Sequence, residues 1–170
     1  PGSNSLWYPP GTSFRFTAVN GFGTGSARAS KYQYVWDTST DEPNWSNAFQ
    51  WTSGTLTLTP TGAGSYYLHL RACNALGFAN TNTLLLGPYT IKTVTPVARI
   101  GDLWACDDGV PLSLSGKVVT ACTGGAFWIE ETDRTAALKV LWPGTISRGH
   151  TVSVYGSLQG VTTQRVMSAT

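Results

Sequence analysis

Few side chains in this chain are equipped for covalent or acid–base chemistry. Its two histidines, His69 and His150, fall in different halves, and neither lies near a Ser or Cys elbow. No Gly-x-Ser-x-Gly, phosphate loop or dinucleotide fingerprint occurs, so no nucleophile–base pair and no cofactor is expected. The acids concentrate at Glu130, Glu131 and Asp133, with a second group at Asp107-Asp108. Adjacent strand residues point to opposite faces, so Glu130 and Glu131 do not form a ready carboxylate pair for glycoside hydrolysis. The oxygen-rich loop of a Ca²⁺ site is also missing. Hairpin-turn chemistry is the better reading of this cluster.

Three cysteines, Cys73, Cys106 and Cys122, match no metal-ligand spacing. Cys106 and Cys122 flank one predicted strand and are the candidate disulfide. A strongly coiled strand brings such flanks together, whereas a straight one of ten residues holds them ~30 Å apart. Among the aromatics, Trp45 and Trp51 lie in or beside a long polar loop, where a sugar-stacking ring would sit. Anchoring of that loop is their competing role, because a large ring can replace many smaller contacts. Trp128, Trp142 and Tyr155 could form a stacking platform. Trp142, however, shares parity with Leu138 and Val140 and reads as core or as a lid.

The elements that must position these groups are strands. Gly and Pro, 19 and 9 residues, punctuate the chain too often for long helices. The clearest run is YYLHLRACNALG, from Tyr66 to Gly77. Tyr66, Leu68, Leu70 and Ala72 alternate as one buried face, and Asn-Ala-Leu-Gly then turns the chain. The other face carries Tyr67, His69, Arg71 and Cys73, a mixed strip that is the candidate packing face against a neighbouring domain or subunit. Phe14, Phe16 and Ala18 alternate in a further strand, followed by the turn Gly21 to Gly25. Tyr32, Tyr34 and Trp36, then Leu56 and Leu58, mark two more. LLLGPYTIK reads as a last strand broken at Gly87-Pro88, which suits an edge. These strands, with Trp36-Asp-Thr-Ser39, resemble the fibronectin type III-like sandwich, with the Tyr66 run as its F strand. That resemblance implies a modular extracellular β-domain spanning 1–95.

Thr93 to Arg99 has no core pattern and reads as a short, stiff linker. Ile100 to Asp108 reads as a helical turn or loop. Leu112, Leu114, Gly116 and Val118 then alternate. Strands at Ala126–Ile129, Ala137–Leu141, Val152–Gly156 and Gln164–Met167 follow. Five strands in ~70 residues fit a small Greek-key barrel. The phrases LSGKVVTA and AFWIEETDRTAALKV resemble the OB-like domains of bacterial secreted proteins, so 96–170 is expected to be an OB-like β-barrel. The expected fold is therefore all-β: an Ig or fibronectin III-like sandwich plus a five-stranded OB-like barrel.

Charge narrows the function classes. Only 12% of residues are Asp, Glu, Lys or Arg, about half the usual fraction, which suits a secreted or cell-surface protein. Residues 1–95 carry five basic and three acidic groups, and residues 96–170 carry six of each. Neither half has the basic field of a nucleic-acid binder, and no apolar run approaches the ~20 residues of a membrane span. Starting at Pro1 without Met, the chain is expected to be a processed form or a piece of something longer. The expectation is a non-catalytic structural module of a bacterial surface protein or filament, packing against neighbouring copies or domains. The weakly patterned arm Pro1 to Pro10 could add to a neighbour's sheet edge. The alternative is an accessory carbohydrate-binding segment of a secreted enzyme, with polysaccharide as its partner.

Overall fold

A computed structural model describes residues 6–23, 28–161 and 164–169. The protein is all-β, with a closed five-strand barrel and separate sandwich-like sheets. Its strands are β1 (Trp7–Tyr8), β2 (Phe14–Thr17), β3 (Lys31–Asp37), β4 (Phe49–Trp51), β5 (Thr55–Leu58), β6 (Gly64–Cys73) and β7 (Leu84–Ile91). They continue with β8 (Thr95–Val97), β9 (Pro111–Thr123), β10 (Ala126–Glu130), β11 (Ala137–Leu141), β12 (Thr151–Val161) and β13 (Gln164–Ala169). Trp45–Asn47 and Ile100–Ala105 are short 3-10 helices. The chain divides into two compact units, Pro10–Ile91 and Pro1–Pro9 with Lys92–Thr170. The boundary thus falls just before the expected linker. Of the N-terminal arm and the Gly21–Gly25 turn, residues 1–5 and 24–25 lie outside the described residues.

In the Pro10–Ile91 unit the strands of the larger sheet run in the order β7-β6-β3-β4. A second sheet pairs β2 with β5. The rings between them form the core: Trp36 stacks on Tyr66 at 5.5 Å and meets Phe14, Phe16 and Tyr89 within 6.4 Å. Tyr66, Leu68 and Leu70 are buried, as the alternation predicts. β7 runs unbroken through Gly87-Pro88 but bulges there, so Gly87 and Pro88 together oppose the single residue Tyr67 of β6. Only glycine fits there, because a Cβ on Gly87 would lie 2.8 Å from the Tyr66 carbonyl oxygen.

In the other unit, β9 to β13 close in the order β10-β11-β13-β12-β9, and β9 pairs back onto β10. β11 and β13 are parallel; the other barrel pairs are antiparallel. The linker reading of Thr93 to Arg99 is corrected. Thr95–Val97 form β8, parallel to β9, and as an edge strand β8 tolerates the missing N–H of Pro96. The inner parity of β9 also changes midway. Ser115 and Gly116 together face Ser153, and Gly116 has φ +68°, the left-handed geometry of a glycine bulge. Leu112 and Leu114 point inward before the bulge; Lys117 and Val119, rather than Val118, do so after it.

Candidate functional site

The Tyr67, His69, Arg71, Cys73 strip is not an open surface, which corrects the packing-face expectation. The β3–β4 loop folds back over this side of the sheet. His69 is 3% exposed, with Nε2 3.0 Å from the Ser39 carbonyl oxygen and 3.3 Å from Asp37 Oδ1. Both neighbours are acceptors, so Nε2 carries the proton and the ring ties the loop down. Glu42 at the loop crest accepts from the Thr83 hydroxyl at 3.1 Å and from Trp45 Nε1 at 2.5 Å. The Arg71 guanidinium lies 4.3 Å from the Trp45 ring centroid, while its Nε donates to Gln33 Oε1 at 2.7 Å. Cys73 is buried and free. His69 and Arg71 have thus found partners within their own unit and Cys73 is buried, while Tyr67 stays half-exposed.

The two candidate sugar-stacking rings change role for the same reason. Trp51 lies in β4 and is 6% exposed, packed against Phe22 and Tyr32 at 5.3 and 5.4 Å. Its Nε1 donates to the carbonyls of Ser53 and Gly54. It is a core residue and offers no face to a ligand. Trp45 has one face taken by Arg71 and its N–H by Glu42, which is the anchoring role. Cys106 and Cys122 are free thiols, so the expected disulfide is not formed. Cys106 Sγ donates to Asp102 O at the end of the 3-10 helix, whereas Cys122 is exposed opposite Phe127 in the β9–β10 hairpin.

The sandwich unit does present an organised surface elsewhere, on the β6–β7 connection. Asn74 shapes it: its Oδ1 accepts from the backbone N–H of Leu76 and of Phe78, both at 3.0 Å. Its own N–H donates to Phe78 O, and Gly77 N–H donates back to Asn74 O. Asn80 continues the pattern, accepting from Asn82 N–H and donating to Ala72 O. Asn is suited to this because its short amide mimics a backbone turn. The result is a fixed loop holding Leu76 82% and Phe78 70% exposed. Beside it lies a hollow of about 520 Å3, lined by Arg28, Tyr32, Ala72 and Asn80 among others. The sequence marked the turn at Asn74-Gly77 but not these presented side chains. The signal was there: two large apolar residues in a polar, Asn-rich turn.

In the barrel the notable chemistry is an internal ion pair that the alternation did not reveal. Lys117 and Glu131 are 5% and 7% exposed. Lys117 Nζ donates to both Glu131 oxygens at 2.9 and 2.8 Å and to Ala98 O at 2.7 Å. Glu131 Oε1 also accepts from Ile100 N–H at 2.5 Å. Burial pushes the Glu131 carboxyl up, but the Lys117 and Ile100 hydrogen bonds outweigh it, so its pKa lies below the ordinary value. Held ionised, it is a poor acid and serves to clamp β8 and the 3-10 helix onto the barrel. Next to it Asp133 accepts from Thr135 and from Arg99, at 2.6 and 2.7 Å, and lies well below the usual carboxylate range. Arg165 similarly holds the far end of that helix through the carbonyls of Leu103 and Cys106. Trp142 packs edge-on to Phe127 as a lid, and His150 is exposed. Among the described residues no group of three His, Cys, Asp or Glu side chains could hold a metal ion.

Comparison with family models, with curated proteins and with solved structures gave no match.

Proposed function

We propose that this chain is a non-catalytic structural module of an extracellular bacterial surface protein or filament. On this reading a fibronectin type III-like sandwich is followed by an OB-like barrel, and the chain acts by packing against neighbouring copies or domains. The observation that carries the reading is the β6–β7 loop. Two large apolar side chains stand in solvent on a backbone that Asn74 and Asn80 hold in one shape. Presenting apolar area on a fixed loop removes the ordering cost of association, which is how a contact surface gains affinity. The low surface charge supports the same reading, since few charges need to be desolvated when neighbours meet.

The alternative at Trp45 and Trp51 has lost the free rings that motivated it. Negative-stain microscopy of the concentrated chain tests the assembly reading. Ordered oligomers or fibres are expected, and they should be lost in a Leu76→Ser, Phe78→Ser double variant that keeps the wild-type circular dichroism. A strict monomer at high concentration would count against it.

A further inference from the structure

The barrel unit carries a second surface, independent of the sandwich loop. A hollow of about 550 Å3 on its outer face is lined by Thr120, Thr123, Trp128, Glu130, Arg134 and Arg148. Two local irregularities build it. At the β9–β10 pairing Ile129 faces Val119 and Trp128 faces Ala121, so Thr120 is an extra residue, bulged beside the Trp128 ring. At the β10–β11 turn Arg134 has φ +57°, the one non-glycine residue in left-handed backbone among the described residues. Its N–H donates to Glu131 O, closing the turn where glycine would be the relaxed choice. Such strain is retained where the side chain has work to do.

Charge converges on the same place. Three of the six cations in residues 96–170 are committed internally: Lys117 to Glu131, Arg99 to Asp133, and Arg165 near Asp108. The other three are Arg134 and Arg148 in the groove and Lys139, whose Nζ lies 5.4 Å from the Trp128 ring centroid. These three make no ion pair among the described residues. A balanced total charge therefore hides a local positive field beside a half-buried indole.

We propose that this groove binds an acidic polysaccharide, with one uronate ring on Trp128 and the carboxylates of successive uronate residues on Arg134 and Arg148. Glu130 and the two threonine hydroxyls fit the sugar's own hydroxyls as partners. A glycan can satisfy both kinds of group in this lining, since its hydroxyls donate to Glu130 while its carboxylates meet the arginines. A deoxyribose phosphate chain has no free hydroxyls along it to offer Glu130, which favours a glycan over DNA.

Calorimetric titration of the full chain at low salt, with an alginate hexasaccharide as probe, tests this. Cellohexaose and oligo(dT) serve as the neutral and phosphate comparators. Alginate should bind, cellohexaose should not, and oligo(dT) should bind more weakly than alginate. Trp128→Ala should weaken alginate binding about tenfold. Arg148→Ala and Arg134→Gly should each weaken it roughly threefold, the loss of one exposed charge-assisted contact. Arg134→Gly should do so with a Tm no lower than wild type, which a purely structural arginine would not produce. These two exposed positions decide the matter even if Trp128→Ala fails to fold. Absence of alginate binding, equal binding of cellohexaose, tighter binding of oligo(dT), or wild-type affinity in Arg134→Gly would each overturn the proposal.

Discussion

The barrel of residues 92–170 closes around aliphatic side chains, whereas the sheets of residues 10–91 stay open and are lined with rings. Ile100, Leu103, Leu112, Leu114, Ile129, Val140, Leu158 and Met167 are among the barrel's buried residues. The sandwich buries Trp51, Leu56, Leu68 and Leu70 together with the rings of Phe14 and Tyr66, and Phe16, Tyr32, Tyr34 and Trp36 are partly covered around them. A closed barrel has no open edge and can bury small, well-packed side chains completely. Open sheets cannot, so large rings supply the area and a loop must cover the second face. Polar anchoring differs accordingly. The barrel places an ion pair under cover to hold β8 and the helix, and the sandwich uses part-exposed contacts to hold its loop. The same two architectures leave different surfaces free: a polar groove on one, an apolar knob on the other.

The largest effect should come from the barrel's ion pair. Lys117→Met strands an ionised Glu131 and should cost about 3–5 kcal/mol. Urea unfolding would measure the loss, and hydrogen exchange should localise it to β8, β9 and residues 100–105. Adding Glu131→Leu should restore much of that stability but leave Ile100 N–H and Ala98 C=O unpaired. Next, Leu68→Ala should remove about 3 kcal/mol by opening a cavity between the sandwich sheets, with exchange in β9–β13 unchanged. If both variants loosen both units equally, the two do not behave as separate structures.

Acid should act on the barrel first. Glu131 has a lowered folded pKa, so its contribution is complete above the ordinary value of 4.5. It is lost as pH falls through the lower folded value, because the unfolded chain then binds the proton more readily. Asp133 is also lowered, by its hydrogen bonds from Thr135 and Arg99, and adds to the same trend. A pH series of thermal unfolding should show this dependence blunted in the Lys117→Met, Glu131→Leu double variant. Trp45→Ala should have the smallest effect, about 0.5–1 kcal/mol from the lost Arg71 contact. Its signature would be faster exchange over residues 38–47 with the Leu68 core unchanged.

The longer strands were readable because each carries a period-two pattern, whereas the three-residue strands β4 and β8 were not. What the alternation missed were the places where that period breaks or where distant chain intervenes. At Gly116 a bulge shifts the inward set by one, so Lys117 takes a core position that the pattern assigns to its neighbours. Trp51 sits at the end of a strand of only three residues, too short to alternate visibly. Covering of the His69 and Arg71 side depends on a loop that leaves β3 and reaches Thr83 before β7. Nothing within β6 itself encodes that cover. The groove at Trp128 was hidden by averaging, since equal totals of charge conceal which cations are already paired.

Sedimentation velocity over a concentration series compares the wild-type chain with the Leu76→Ser, Phe78→Ser variant and tests the packing role most directly. The wild type should associate as its concentration rises, and the double variant should stay monomeric with unchanged unfolding. Equal association of both proteins, or a wild type that stays monomeric throughout, would contradict it.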